Sequence, residues 1–464
     1  EGLFVMGQNP AVGGPNAALE RKAMGTLKWM VVRDLVMTET AEFWQEQPDS
    51  ATEVFFFPAA GHAEKDGCFT NTQRLLQWHE KAVDPPGEAR SEAWFVHALA
   101  KRLREKAARD PNPANAALNA LDWRYSEDAH GEPSIEEVLA EINGTAADGR
   151  HLAGFAELAA DGSTRCGCWI YSGVFPSPDR NRARERQAAG RYGHGWGWAW
   201  PADRRILYNR ASARPDGRPW SGRKALIWWD ASAREWTGDD TPDFNRTTDP
   251  GYVPPRDAEG DAGIGGAQPF IMHDDGLGWL WVPSGLKDGP LPAHYEPLES
   301  PIGNVVYARE TNPAARTLER DDNVYAGPHD SNYPHVLTTY RLTEHHTAGG
   351  MSRTLSRLAE LQPELFCEIS PELARDHGIA NGDTVKVITA RAAIRARALV
   401  TSRMRPLVID GRIVHQVGLP YHWGGRGLVT GDVVNDLIPM SEEPNVRIME
   451  AKALTCRVEA CPEP

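Results

Sequence analysis

Three apolar runs at residues 3–6, 27–32 and 53–57 punctuate the first sixty residues. Each stops at polar or turn-forming residues: Gly7-Gln8-Asn9-Pro10, Arg33-Asp34 and Pro58. Between the first two, Gly13-Gly14-Pro15-Asn16 leads into a helical pattern at Ala17–Met24. Strand, glycine turn and helix in this order predict a parallel α/β unit. Polar residues gathered at the strand ends suit a ligand at the carboxyl edge of its sheet. Glycines admit a close approach, and N–H groups at a helix start attract phosphate, although many such turns bind nothing.

Farther on, Ser91 opens a helix whose Phe95, Leu99 and Leu103 recur every four residues, which predicts one buried stripe. Ser134-x-x-Glu137 has the spacing of a capping box before Val138, Leu139 and Ile142, with Gly144 as the stop. From about residue 165 to 332 helical periodicity disappears and tryptophans crowd in: Trp196, Trp198, Trp200, Trp220, Trp228, Trp229, Trp236, Trp279 and Trp281. That composition predicts an irregular layer spread over a larger body or a partner. Asp239, Asp240 and Asp243 are expected as solvated loop charges. After residue 333 the pattern tightens. Ser370 caps a short helix with Pro371 at its first position, and His377-Gly378 closes it. Strands are expected at 384–389, at Ala393–Val400 and at 413–417, which together read as a compact β-barrel. The chain thus divides into 1–164, an α/β portion with following helices; 165–332, the irregular tryptophan-rich region; and 333–464, the barrel.

With 464 residues, 41% hydrophobic and 25% charged, this is ordinary globular composition for two or three domains. The net charge of −14 argues against nucleic acid as the main partner. No apolar run approaches the ~20 residues of a membrane-spanning helix. Residue 1 is Glu, and a strand pattern starts almost at once, so the chain is expected to lack its true beginning. A missing targeting signal therefore excludes nothing. Six cysteines are too sparse for a disulfide scaffold. Cys166-Gly-Cys168 is the only close pair, and it suits a strand position better than a metal site.

The densest chemistry lies at 338–353, TTYRLTEHHTAGGMSR, which packs hydroxyls, two histidines, two arginines and a Gly-Gly turn into one stretch. Such a density of hydrogen-bonding groups suits a large polar phosphorylated ligand. This stretch, together with GLFVMGQNP, AEKDGCFTNT, RRILYNRAS, HYEPLESP, ELFCEISPELARDHGIANGD and VHQVGLPYHWGG, resembles the catalytic subunit of molybdenum- or tungsten-dependent formate dehydrogenase. The wording is similar to that of the exported, respiratory type, and the likeness covers almost the whole chain.

The resemblance implies a Rossmann-like α/β part, a C-terminal double-psi β-barrel and a bis-molybdopterin guanine dinucleotide cofactor carrying Mo or W. Gly7, Gln8, Asn9, Asp34 and Thr38 match family positions that hold one guanine dinucleotide on the α/β domain. Arg341, Thr343, His345 and Thr347 match positions along the pterin and phosphates. Tyr421, His422, Asn435, Asn445 and Lys452 match positions at the barrel mouth. The adjacent pair His345-His346 is a poor metal site, because adjacent side chains rarely converge on one ion.

The family's cysteine-rich iron–sulfur motif, its metal-ligating cysteine or selenocysteine, the neighbouring histidine and the formate-steering arginine all lie upstream of GQNP. The chain is therefore expected to be a C-terminal portion without catalytic or metal-ligating residues of its own. A [4Fe-4S] cluster is expected only in the missing N-terminal part. Formate and carbon dioxide are the implied substrates. The implied partners are that missing part, an iron–sulfur electron-transfer subunit and a membrane cytochrome b subunit. The implied location is the periplasm, in anaerobic respiration. Another molybdopterin oxidoreductase such as nitrate reductase, and a non-catalytic cofactor-binding or assembly protein, are the alternatives.

Overall fold

A computed structural model of the chain describes residues 1–70, 74–189, 194–199, 209–223, 225–242, 244–258, 260–263, 265–268, 286–289, 294–450 and 452–461. Residues 1–58 and 282–464 form one compact unit, and residues 59–281 form another. This partition cuts across the segments 1–164, 165–332 and 333–464 read from the sequence.

In the first unit, β1 (Gly2–Met6), β2 (Trp29–Asp34) and β3 (Glu53–Pro58) make a parallel sheet in that order. In register, Val5, Val32 and Phe56 share one row. That face packs on α1 (Pro10–Gly13), α2 (Ala17–Met24) and α3 (Glu39–Glu42) through Val5, Ala11, Met24, Met30, Val32 and Ala41. The strands and α2 stand where the apolar pattern puts them. The start of α2 differs in its use. Asn16 sits at φ 45°, its side chain accepts from Leu19 N, and its own N–H donates to the Ile438 carbonyl at 2.8 Å. Protein groups therefore occupy the helix start expected to suit a phosphate.

The same unit contains a closed barrel. Its strands are β4 (His335–Tyr340), β5 (Phe366–Ile369), β6 (Thr384–Ile388), β7 (Ala393–Val400), β8 (Gln416–Pro420) and β9 (Leu454–Ala460). They close in the order β4-β8-β5-β7-β6-β9. Pairs β4/β8 and β5/β7 are parallel, and the others are antiparallel. Alternation decides the faces: in β4 His335, Leu337 and Thr339 point inward and are buried. The interior is filled by Leu337, Ile369, Val385, Val387, Ile394, Val417 and Val458. Gly418 is needed in β8, where a Cβ would stand 2.7 Å from the Tyr340 ring.

The strand expected at 413–417 is two strands. Arg412–Val414 pairs with Leu407–Ile409 in a separate ribbon, and buried His415 intervenes before β8. The helix Pro371–Asp376 forms as expected, with Ser370 accepting from Leu373 N at 3.0 Å. A buried ion pair joins Glu299 to Arg391, with 0% and 2% of the two side chains exposed. Glu299 also accepts from Ala326 N at 3.1 Å and Thr455 N at 3.2 Å, so neither carboxylate oxygen is left unmet.

In the second unit, Glu92–Ala107 is the helix expected after Ser91, which accepts from Trp94 N at 2.9 Å. Its stripe is Phe95, His97, Ala100 and Ala107, while Leu103 is 41% exposed. Helix Ile135–Asn143 ends at Gly144 with φ 95°. Only half of the expected capping box closes: Ser134 accepts from Glu137 N, but the Glu137 carboxylate accepts instead from the Ser126 N–H and hydroxyl. The tryptophan-rich stretch builds a small core of its own. Trp236 is fully buried with Ala213 and Ile227, and the Arg210 guanidinium lies 4.3 Å over its ring. The ring is turned inward because its Nε1–H finds the Thr248 carbonyl at 2.7 Å. Trp220 is 52% exposed. Trp200, Trp279 and Trp281 lie outside the described residues, as does Asp243. Asp240 corrects the expected solvated loop: it is 2% exposed and accepts from Asn209 Nδ2 at 3.1 Å.

At the head of β4, His335 is 6% exposed, and its ring stacks edgewise on His415 at 5.5 Å and His377 at 5.9 Å. Burial, reinforced by these two histidines, holds its pKa at about 4, below the ordinary 6.5. The native barrel therefore binds fewer protons than the unfolded chain between those two values, and stability falls as pH drops from 6.5 towards 4. Hydrogen exchange of the β4 and β9 amides should lose protection across that window, by up to ~3 kcal/mol. A His335→Phe variant should flatten the dependence; an unchanged slope would refute it.

Candidate functional site

The loop after β1, the start of α3 and two barrel-side segments meet at one carboxylate. Glu39 Oε1 accepts from Arg353 Nη2 at 2.6 Å and from Arg426 N at 2.8 Å. Glu39 Oε2 accepts from Asn9 Nδ2 at 2.7 Å. The Glu39 and Arg353 side chains are 7% and 2% exposed. Arg353 spends its other donors on the carbonyls of Gly349 at 2.8 Å, Gly424 at 2.8 Å, Val429 at 3.2 Å and Arg426. The segments 346–353 and 420–431 are thereby folded around one guanidinium. Gly424 leaves room for this: a Cβ there would lie 2.5 Å from Glu39 Oε1, 2.6 Å from Val12 Cγ1 and 3.0 Å from Arg353 Nη2.

Two further contacts tie the sheet to the barrel. Asn435, fully buried, donates from Nδ2 to the carbonyls of Gly13 and Gly14, both at 3.1 Å, and accepts from His422 N at 2.9 Å. Arg21 grips Asp436 with two parallel bonds of 3.2 and 3.0 Å.

Beside this seam lies a cavity of about 420 Å³. One wall is Gly7 to Pro10 with Gly13 and Gly14, and the other is His346, Thr347, Gly350, Met351, His422 and Met449. Three of these positions have left-handed backbone: Gly7 at φ 61°, Thr347 at φ 61° and His422 at φ 64°. For a threonine and a histidine that conformation is costly, and it turns both residues to the wall.

The structure brings some of the expected site residues together and places others elsewhere. Gly7, Gln8, Asn9, Thr347 and His422 line the cavity. Asn9 does so with its amide fully engaged, since Oδ1 accepts from Thr40 N at 3.1 Å and Thr40 Oγ1 at 2.8 Å, and Nδ2 also reaches the Gly350 carbonyl at 2.7 Å. Asp34 and Thr38 stand at the carboxyl end of β2 and the start of α3, 3% exposed each. Asp34 Oδ1 accepts from Leu35 N at 2.8 Å, while Asp34 Oδ2 and Thr38 Oγ1 are buried without hydrogen-bond partners among the described residues. Burial raises the Asp34 pKa.

Arg341 and Thr343 are exposed and line a separate, wider cavity of about 750 Å³ along the barrel. Lys452 Nζ donates to the Thr339 carbonyl and to Thr339 Oγ1 at 3.1 Å, and lies 5.0 Å from the centre of the Tyr421 ring. Tyr421 in turn packs against His422 with ring centres 3.8 Å apart. Arg341 and Lys452 make this mouth electropositive. With burial as the larger cause, their charges hold His422 neutral, its pKa lowered to about 4. Asn445 is an exposed loop residue, donating to Glu443 Oε1 at 2.6 Å and Asp288 Oδ1 at 3.2 Å.

His345 is placed differently from the expectation that it faces the ligand. It is 5% exposed; its Nδ1 meets Ser352 Oγ at 3.0 Å, its Nε2 meets the Gln362 carbonyl at 3.3 Å, and its ring stands edgewise on Trp423. Its exposed neighbour His346 lines the cavity instead. Sequence reasoning also passed over Glu39. The only available signal was a carboxylate directly after Thr38 at a strand-to-helix turn.

Residues 1–102 match the Molybdopterin oxidoreductase family and residues 336–454 match the Molydopterin dinucleotide binding domain. The nitrate-inducible formate dehydrogenase major subunit of Escherichia coli is 38% identical over 99% of this chain and 46% of its own length. The formate dehydrogenase subunit alpha of Megalodesulfovibrio gigas is 36% identical over 99% of this chain and 46% of its own. The chain thus spans about half the length of these curated relatives. Among solved structures, acetylene hydratase from Pelobacter acetylenicus aligns over 99% of this chain and 44% of that one at a TM-score of 0.45 and 12% identity, a likeness that carries no argument.

The seam makes a direct prediction. Gly424→Ala drives a methyl group into the Glu39–Arg353 pair. Overpacking costs ~1–3 kcal/mol and breaking a buried pair ~3–5 kcal/mol. Denaturant unfolding should show a loss of about 3 kcal/mol or more, whereas Gly425→Ala, which meets nothing within 4 Å, should be near neutral. Equal midpoints would refute this reading of the seam.

Proposed function

We propose that the chain is the cofactor-clamping, C-terminal part of a formate dehydrogenase catalytic subunit. The observation that carries this reading is a single cavity whose two walls come from the two family-matched stretches, Gly7–Gly14 from residues 1–102 and His346–Met449 from residues 336–454. Relatives named as formate dehydrogenase major or alpha subunits, matching along 99% of the chain, support the reaction.

The residues present fit a bis-molybdopterin guanine dinucleotide. Such a group carries phosphates and two guanines, and it needs cations, backbone approach and a carboxylate. Arg341 and Lys452 supply charge. Gly7, Gly13 and Gly14 keep one wall low. Among the described residues, Asp34 Oδ2 and Thr38 Oγ1 are buried acceptor and hydroxyl atoms without partners, which the N–H groups of a guanine edge would meet. His422, neutral at pH 7, can donate or accept at its wall without adding charge.

When bound, the group supplies a molybdenum or tungsten centre that exchanges two electrons with formate or carbon dioxide. The chain's own residues bind it, hold its orientation and exclude water from it. Asn9, through the Gly350 carbonyl, and Asn435, through Gly13, Gly14 and His422, fix the spacing of the two walls. The same reading makes the closed barrel a double-psi barrel and the three-stranded sheet Rossmann-like. It places a [4Fe-4S] cluster and the metal ligand in the remaining part of the subunit. On this reading the chain lies in the periplasm, and its electron acceptors are an iron–sulfur subunit and a membrane cytochrome b subunit.

The test is chemical. Full-length enzyme carrying this chain, purified and acid-hydrolysed, should release pterin and GMP in a 1:1 ratio. Arg341→Ala and Asp34→Asn should each lower that yield at unchanged circular dichroism, by roughly tenfold in affinity for each lost charge-assisted contact. Asn435→Ala should behave differently. It strips three bonds from the seam and should lower the unfolding midpoint as well. Wild-type enzyme without pterin or GMP would overturn the reading.

A further inference from the structure

Beside the cavity, the buried carboxylate of Glu39 bonds a side chain of one wall and the guanidinium that supports the other, and is itself absent from the lining. Glu39 receives Asn9 on one oxygen, and Arg353 and the Arg426 N–H on the other. Asn9 carries the Gly7–Pro10 wall. Arg353 carries the opposite one, through the Gly349 and Gly424 carbonyls.

We propose that Glu39 is a positioning residue for the dinucleotide site: its carboxylate is the shared acceptor that sets the separation and register of the two walls. The inference rests on the cofactor reading above.

The donor pattern allows no substitute. The Asn9 amide cannot turn over, because its oxygen is held by Thr40 N at 3.1 Å and Thr40 Oγ1 at 2.8 Å. Its NH2 must therefore face Glu39 Oε2. The other oxygen faces a guanidinium and a backbone N–H. Every group aimed at Glu39 is a donor, so both of its oxygens must accept. A glutamine has the same size but offers one acceptor and one donor. Its oxygen will go to the side with two donors, one of them charged. Its NH2 then confronts the Asn9 NH2, and the Gly7–Pro10 wall loses its tie to residue 39 and is left with the Thr40 and Gly350 bonds of Asn9, while the Arg353 wall stays folded. The replacement acts on one wall, which distinguishes positioning from general support.

The test uses full-length enzyme with Glu39→Gln beside Glu299→Gln. Glu299 is an equally buried ion-pair carboxylate that is absent from the cavity lining. Three quantities are followed: pterin and GMP retained per chain after dilution and gel filtration, the unfolding midpoint, and hydrogen exchange at residues 7–14 and 346–353. Glu39→Gln should lose pterin and GMP roughly tenfold faster than wild type. Its exchange should rise at 7–14 more than at 346–353. Glu299→Gln should lower the midpoint and leave retention unchanged. The proposal is overturned if Glu39→Gln retains pterin and GMP like wild type, or if Glu299→Gln loses them as fast. Wild type lacking both would sink the cofactor reading instead. In that case the exchange pattern alone decides the positioning role, and equal exchange in both segments would end it.

Discussion

A carboxylate taken out of water must be met at both oxygens, and the first unit is arranged around meeting this demand at Glu39. Removing a carboxylate and a guanidinium from solvent costs several kcal/mol per ion, repaid only when geometry is good and every remaining lone pair and N–H is used. That condition reaches far along the chain. The pair joins residues 314 apart in sequence. It requires a glycine at 424, left-handed backbone at Gly349 (φ 101°) and four carbonyls turned towards Arg353. A pair of leucines could be as stable. It would accept many relative placements of sheet and barrel, whereas this network accepts one.

The same accounting of donors and acceptors separates polar groups satisfied within the protein from those left unmet. Asn9, Asn435 and His345 have their polar atoms used inside the protein, so they hold the walls in place. Asp34 Oδ2 and Thr38 Oγ1 are equally buried and have no hydrogen-bond partner among the described residues, so they are free to meet other groups. Arg341 is exposed at a mouth whose other cation, Lys452, has its pKa lowered first by burial and then by Arg341 itself. An anion would relieve that repulsion.

Much of the fold was legible because its signals are local. The period-two alternation in β7, Ser370-Pro371 before a helix, and Gly144 and Gly378 at helix ends each act within a few residues. The misread places are those decided by distant neighbours. The 413–417 run is apolar enough for one strand, yet His415 turns inward to His335 and splits it. Leu103 keeps the helical spacing of Phe95 but is 41% exposed, while His97, polar in sequence, is buried against Glu127 at 2.8 Å. Composition places Trp236 in an irregular layer spread over a larger body or a partner. A backbone carbonyl and a guanidinium, neither predictable by spacing, make it core.

Within the site, residue type was legible and direction was not. His345 and His346 are chemically identical neighbours, and their roles are divided by which one finds Ser352, Gln362 and Trp423. The backbone makes that division durable. Thr347 and His422 both hold positive φ, a strain of about 1–3 kcal/mol for each such residue, and persist only where surrounding contacts over-determine them. Two contacts do so: the Thr347 carbonyl accepts from Leu342 N at 2.7 Å, and His422 N is held by Asn435 at 2.9 Å. The amide that fixes His422 also grips the Gly13 and Gly14 carbonyls, so one side chain sets both walls at that end. Asn435 and Glu39 thus act at two points of the same seam, one through neutral amide bonds and one through charge. Rigid walls of this kind bind a large ligand without first ordering themselves, and the cost of that order is met by folding.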